Sequence, residues 1–573
     1  MKELILKILK SKLLFAVVIN LLIMAFCILV TSFSYVTGRD YYNSILICQN
    51  HFYYGSTLNY ILAVVVGTIQ YAVTDINAFV LVEVGLSFCA FTSITFVFAD
   101  KFNFRKAAVF TMVVNILFAL NHYSRIESTT TAALLLAGGF LLVLNAIRNK
   151  RYNLPCWIGV AEIAAGSFYN YPYFFIALGF AVAYFFGDMI AKKKFRLDFQ
   201  KIFWYFRPFL LMFLLITLIA VGLNQFSFSI NHATQESTDY YRYSALTEEI
   251  DTLPFPDYSD HLEDFAAVGI DNDTEYDLLK NGYYDNDKML NNDALQLVRN
   301  IQLQESEKTL SYVLTNTFTD MWNHIVSLDA FLIVGAVFLA ISLVFILYHR
   351  NRYSFFPLFF AVASLVSGVC IRYLYTGMDY RIYGIWVLCI VMLLFAFNFE
   401  GERKSETAKK LRRKNGFFII SIIVTAALFG SYCAVYVLNT PSVEDDAPDS
   451  LITEINRNPD CYYVMDTMSR QDFDRYTENY LHPLWGFRSG YLENLDDFGY
   501  MHHYEMLRKR NLSYNIYEAV MTNHKIYVID KNVTFKKEKY FNLNYTDQYT
   551  TAHYQLVKEL DDYKIYEVVV ERE

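Results

Sequence analysis

The hydrophobic positions of this chain come in long blocks separated by short polar turns. Apolar segments fall at 13–33, 58–74, 77–99, 107–121, 129–147, 155–169, 171–190, 208–225, 329–347, 354–375, 379–398 and 416–438. A helix needs roughly 17–25 apolar residues to cross about 30 Å of hydrocarbon, and most of these blocks are of that order. A segment in lipid has to satisfy its own backbone hydrogen bonds, so the pattern predicts helices throughout.

Two polar regions interrupt the blocks, at 226–328 and 439–573. In the first, 293–305 has helical periodicity, and Asn272 with Glu275 reads as a capping box opening a helix at 273–281. In the second, β-rich runs at Cys461 to Asp466, Lys525 to Asp530 and Tyr563 to Val570 interleave with helical patterns at 469–480 and 502–510. That interleaving predicts a small α/β or α+β domain.

Basic residues give the blocks a direction. Lys2 to Lys12, Lys101 to Lys106, Arg148 to Arg151, Lys192 to Lys201, Arg350 with Arg352, and Arg403 to Lys414 all flank segment ends. The positive-inside rule makes these loops cytoplasmic, together with the N-terminus. The turns near 122–128, 170, 226–328 and 376–378 and the tail after 439 then lie outside. Two apolar segments separate the outer loop at 34–57 from the cytoplasmic loop at 100–106, where only one net crossing fits. The segment 58–74 is therefore expected to bend, re-enter or run along the surface, which leaves eleven crossings.

The expected fold is an all-α polytopic membrane domain of about 11–12 transmembrane helices in the plasma membrane, with polar regions on its outer face. Its parts are N-terminal membrane helices at 1–225, with a first outer loop at 34–57; an acidic extracytoplasmic loop at 226–328; C-terminal membrane helices at 329–438; and an extracytoplasmic α/β domain at 439–573.

Composition sharpens this picture. The chain has 573 residues, of which 55% are hydrophobic and only 18% charged, so length is a poor guide to the number of soluble domains. The formal charge of −8 conceals an asymmetry: residues 226–328 hold nineteen acidic side chains against five basic ones. Such a loop suits a solvated outer face and argues against nucleic acid or anionic headgroups as partners. The eight cysteines are scattered and form no C-x-x-C pair, so neither a zinc site nor a disulfide framework is read from them. Basic residues precede a first apolar run too long for a signal-peptide core, which is read as a retained helix. Motifs G-x-x-x-x-G-K-[ST], G-x-S-x-G and H-E-x-x-H are absent. Asp271 to Asp277 lacks the glycine and distal glutamate of a calcium loop, so no metal or other cofactor is assigned.

Candidate chemistry gathers at the outer turns. Arg39 and Asp40 follow the first apolar run, and Tyr41, Ile45, Cys48 and Phe52 mark one face of an interfacial helix; an aromatic belt is the plainer account. The stretch Asn121 to Ser128 again sets Arg125 beside Glu127, with Ser128 to Thr131 as candidate caps for the next helix. In Ser167 to Tyr173, Asn170 and Pro172 break an apolar run among aromatics. Arg372 and Arg381 bracket the tight turn at 376–378; they either snorkel or donate in parallel to a phosphodiester. Glu83 and Glu162 stand inside apolar segments, where ionisable groups are costly and often functional.

At Gly38-Arg39-Asp40, Tyr123-Ser124-Arg125-Ile126-Glu127-Ser128 and Tyr169-Asn170-Tyr171-Pro172 the chain resembles the GT-C class of membrane glycosyltransferases. Within that class it is most similar to the O-antigen-modifying glucosyltransferases. The resemblance covers roughly residues 10–190 and the general layout. It implies transfer of a sugar from a polyprenyl-phosphate carrier to an extracytoplasmic glycan of the cell envelope. It further implies Asp40 as general base, Glu127 orienting sugar or acceptor, and Arg125, Arg372 or Arg381 on the carrier phosphate. Arg39, Tyr41, Tyr42, Tyr123 and Tyr171 would contact sugar or lipid. Three other readings stay open: a polysaccharide polymerase or ligase, a transporter or lipid flippase using Glu83 and Glu162, and a non-catalytic envelope protein.

Overall fold

The computed structural model describes residues 11–30, 58–73, 76–101, 127–191, 199–250, 254–280, 292–305, 449–465, 492–494, 516–530, 535–547, 549–560 and 563–572. It also describes shorter pieces, among them Asp40, Asn43, Ser44, Ile47, Cys48, His122 and Tyr123. The apolar segments expected at 329–347, 354–375, 379–398 and 416–438, and the helical patterns at 469–480 and 502–510, lie outside these residues, as does most of 107–121.

Seven apolar helices are described in the N-terminal half: α1 (Lys12–Val30), α2 (Tyr60–Ala72), α3 (Ala78–Lys101), α4 (Ser128–Asn149), α5 (Leu154–Tyr169), α6 (Tyr171–Ala191) and α7 (Phe199–Asn231). Four contain stretches long and apolar enough to cross a membrane: Lys12–Leu29, Ala78–Asp100, Ser128–Asn149 and Phe206–Asn231. Helix α2 has 13 residues, and at 1.5 Å per residue its roughly 20 Å falls short of the hydrocarbon thickness. Helix α7 begins nine residues before the expected segment. It takes in Lys201, Arg207 and an internal Pro208, with the Arg207 guanidinium 5.1 Å from the Trp204 ring centroid.

Local chemistry explains the joints. Asn59 caps α2 by accepting from the Ile61 amide at 3.0 Å. Asn170 ends α5 in extended geometry, and its Oδ1 accepts from the Tyr173 amide at 3.3 Å. It therefore closes one helix and opens the next, while Pro172 sits in the first turn of α6, where its missing amide costs nothing. Between α4 and α5 the backbones approach closely. A Cβ added at Gly139 would lie 2.6 Å from the Gly159 carbonyl oxygen, and one at Gly159 would lie 2.8 Å from that of Gly139. Glycine is required at that crossing because two backbones occupy the space of a side chain.

Two compact units emerge. The first comprises Met1–Val36, Phe79–Ser227 and Thr309–Ser442; the second comprises Thr37–Ala78, Phe228–Lys308 and Val443–Glu573. In the second, the acidic segment forms α8 (Gln235–Ile250), a 3₁₀ turn at Tyr258–Asp260, α9 (Leu262–Ala267), α10 (Asp273–Lys280) and α11 (Asn292–Glu305). Asn272 Oδ1 accepts from the Thr274 and Glu275 amides, as a capping box requires, but Glu275 reaches back to the Asp271 amide instead of that of Asn272. Helix α11 starts and ends close to the expected bounds, burying Ala294, Leu295, Val298 and Ile301 on one face.

The C-terminal region adds α12 (Asp449–Arg457), β1 (Tyr462–Met465), β2 (Leu492–Asn494), α13 (Ile516–Thr522), β3 (Ile526–Ile529), α14 (Phe535–Asn544), β4 (Thr550–Leu560) and β5 (Tyr563–Arg572). Their sheet has the order β2-β1-β3-β5-β4. Strand β1 is parallel to β2 and β3, whereas β5 is antiparallel to both β3 and β4. Alternate residues of β1 serve opposite faces. Tyr462 and Val464 join a cluster with Leu295, Val298 and Ile301 of α11, while Tyr463 and Met465 pack with Leu451 and Ile455 of α12. The acidic segment and the sheet thus share one hydrophobic core.

Candidate functional site

The first apolar helix ends at Val30, and the described residues resume at Asp40. Asp40 is helical and 1% exposed; Asn43, Ser44, Ile47 and Cys48 are buried after it. Positions 40, 43, 44, 47 and 48 follow helical spacing, and three of these five side chains are polar. The face expected from Tyr41, Ile45, Cys48 and Phe52 shares only Cys48 with them, the other three lying outside the described residues. Asp40 belongs to the second unit.

Glu127, Tyr123 and Tyr171 belong to the first unit. Helix α4 begins at Ser128 with Glu127 as its extended N-cap residue, so the hydroxyls of Ser128 to Thr131 are inside the helix and not at its cap. Glu127 contributes its carbonyl: the Thr131 amide donates to it at 3.0 Å and the Thr130 hydroxyl at 2.9 Å. The Glu127 side chain is buried. Tyr123 is also buried, its ring 5.8 Å from Phe91 and 5.7 Å from His122. Tyr171 is partly exposed at the start of α6, edge-on to Phe175 at 5.1 Å. Arg39, Tyr41, Tyr42, Arg125, Arg372 and Arg381 lie outside the described residues.

The structure adds a residue to which the sequence assigned no role. His122 Nδ1 lies 3.0 Å from Thr130 Oγ1, and Nε2 lies 2.6 Å from Ser87 Oγ of α3. Because Thr130 already donates to the Glu127 carbonyl, it accepts from His122, which places the imidazole proton on Nδ1. Nε2 then accepts the Ser87 proton. Burial pushes His122 down to about 3, in keeping with a neutral ring. The resulting chain runs from the Ser87 hydroxyl through His122 and Thr130 to the peptide of Glu127. The only hint in the sequence was a histidine next to the Arg125 and Glu127 cluster.

Elsewhere in the same unit Glu162 of α5 is buried, and the Ser93 hydroxyl of α3 donates to its Oε1 at 2.5 Å. Asn20 of α1 donates to Thr95 Oγ1 at 2.9 Å and to the Phe91 carbonyl. Polar contacts therefore recur along α3 between otherwise apolar neighbours. Among the described residues no group of three or more His, Cys, Asp or Glu side chains is placed to hold a metal ion. Compared with protein families, curated proteins and solved structures, the chain matches none.

Proposed function

We propose that the protein is a membrane glycosyltransferase of the cell envelope, moving a sugar from a polyprenyl-phosphate donor to an extracytoplasmic glycan. The observation that carries this reading is Asp40: a buried carboxyl, with buried Asn43 and Ser44 following it, soon after the first apolar helix. A carboxylate so placed suits a general base that takes the proton of an attacking acceptor hydroxyl, provided the acceptor reaches within hydrogen-bond distance. Arg125, Arg372 and Arg381 are the cations assigned to the carrier phosphate, where they would offset charge growing on the leaving group. Glu127 would orient the sugar or acceptor. Arg39, Tyr41, Tyr42, Tyr123 and Tyr171 would line its path.

This reading takes the apolar segments as 11–12 crossings of the plasma membrane, with the N-terminus cytoplasmic and the α/β domain outside. Four helices of sufficient length and apolarity support it. The shared core of the acidic segment and the sheet supports placing both on one side.

The test is transfer of radiolabelled sugar from polyprenyl-phosphate donors to envelope glycan by purified protein, comparing the native chain with Asp40→Asn and Arg125→Ala. Asp40→Asn is expected to lower turnover about a hundredfold or more, the usual scale of a general base. Unchanged turnover in that variant would remove Asp40 from the mechanism, and no transfer from any donor would end the glycosyltransferase reading.

A further inference from the structure

Glu162 is 5% exposed, enclosed by α3 and α4. Its two carboxyl oxygens are treated differently. Oε1 accepts from Ser93, while Oε2 is buried with no hydrogen-bond partner. Beside Oε2 is Gly138 of α4, where an added Cβ would stand 3.2 Å from Oε2 and 3.1 Å from the carbonyl oxygen of Ala90 on α3. Glycine thus keeps clear a niche walled by a carboxyl oxygen on one side and a peptide oxygen on the other.

That arrangement fits a carboxylic acid better than a carboxylate. An ionised group away from water needs several donors or a cation, and Glu162 has one hydroxyl. A neutral acid needs a donor for its carbonyl oxygen, which Ser93 supplies, and the niche beside its other oxygen is bordered by the Ala90 carbonyl. The ionisable groups on the packed elements are few. Helix α3 carries Glu83 and Cys89, with Asp100 and Lys101 at its far end; α5 itself carries Cys156 and Tyr169; α6 carries Tyr171, Tyr173, Tyr184 and Asp188; and α4 carries none between Ser128 and Ala146. His122 is committed to Ser87 and Thr130.

We propose that Glu162, Ser93, the Ala90 carbonyl and the niche kept by Gly138 form a proton-binding site within the helical unit, at which a proton exchanges with bulk water. Ionisable side chains among apolar helices are rare and commonly mark proton or ion sites. The proposal uses none of the residues assigned to sugar transfer and stands or falls separately from it.

Dicyclohexylcarbodiimide, an apolar reagent, tests it on the full-length protein in lipid nanodiscs. It adds to protonated carboxyls in low-dielectric surroundings, and mass spectrometry then locates the adduct. Modification at Glu162 is expected to be strong near about pH 5 and to fall about tenfold by about pH 9, the range over which buried carboxyls lose protons. Glu162→Gln should abolish the adduct at this position, and Gly138→Ala, which fills the niche, should reduce it. No adduct on the native chain, or one independent of pH, would overturn the proposal and leave Glu162 a fixed structural acid. Protection by sodium ions at constant pH and ionic strength would also overturn it, in favour of a metal-cation site. The native pH profile needs no variant to fold.

Discussion

His122 shows how one buried polar residue can be assigned a protonation state from its neighbours alone. Thr130 has a single proton and gives it to the Glu127 carbonyl, so the imidazole has to donate from Nδ1 and accept at Nε2. His261 is the contrasting case. Its Nε2 meets Glu305 Oε1 at 2.9 Å and its Nδ1 meets Asp264 Oδ2 at 3.3 Å. Its pKa is raised, first by the hydrogen bond to Glu305 and then by that to Asp264. A group whose folded pKa exceeds its unfolded value of about 6.5 stabilises fully below that value and loses the contribution as pH rises through the folded pKa. His261→Gln is therefore expected to be less stable than the native chain at mildly acidic pH, with the gap closing toward alkaline pH. Urea unfolding of the two proteins across that range measures it, and a gap that ignores pH would show that the imidazolium contributes nothing.

Among elements, β4 illustrates what pattern reading misses. It occupies one edge of the sheet, and Leu556 and Val557 on it are exposed. Edge strands invite pairing with other chains, and α14 blocks part of this one. Asn542 of α14 donates to the Ala552 carbonyl at 2.9 Å and accepts from the Ala552 amide at 2.6 Å, in place of a neighbouring strand. Glu538 takes the Tyr554 amide at 3.1 Å. Asn542→Ala would leave both Ala552 groups without that partner. A loss of about 1–3 kcal/mol and increased self-association are expected, read by thermal unfolding and by sedimentation. A monomer of unchanged stability would show that the edge needs no cover. The sequence 550–560 lacks clean alternation, and the β4–β5 connection carries Asp561-Asp562 instead of a strong hairpin signal, so the strand was not legible. β1, β3 and β5 were, as short runs rich in β-branched and aromatic residues, and α11 was because its apolar residues repeat at the helical period.

At the scale of the molecule, the decisive feature of the second unit is that segments as far apart in sequence as 292–305, 462–465 and 526–529 fill a single core. Leu295 and Val298 of α11 are fully buried against a cluster that includes Val464, Ile526 and Val528 of the sheet. Leu295→Ala is expected to cost about 2–5 kcal/mol and to loosen the C-terminal sheet along with the acidic segment. Hydrogen exchange at the β1 and β3 amides provides the readout: faster exchange in the variant supports a shared core, and exchange confined to 292–305 would separate the two regions. Composition and charge had presented these regions as an acidic loop and a separate domain, since each reads as polar and the apolar face of each is short.

Among the described residues, the apolar helices up to Asn231 and the strands at 462–465, 526–529 and 563–572 were determined in outline by the sequence alone, because composition and segment length are local properties. Asp40 and Glu127 were visible there as carboxyls at outer turns, and Glu162 as an ionisable group inside an apolar segment. What only the tertiary structure decided is which groups face one another: Ser87 with His122, Ser93 with Glu162, Gly139 with Gly159, and α11 with β1. Such pairings depend on how distant segments pack. A lone hydroxyl or glycine bears no mark of its partner until two helices bring them within contact distance.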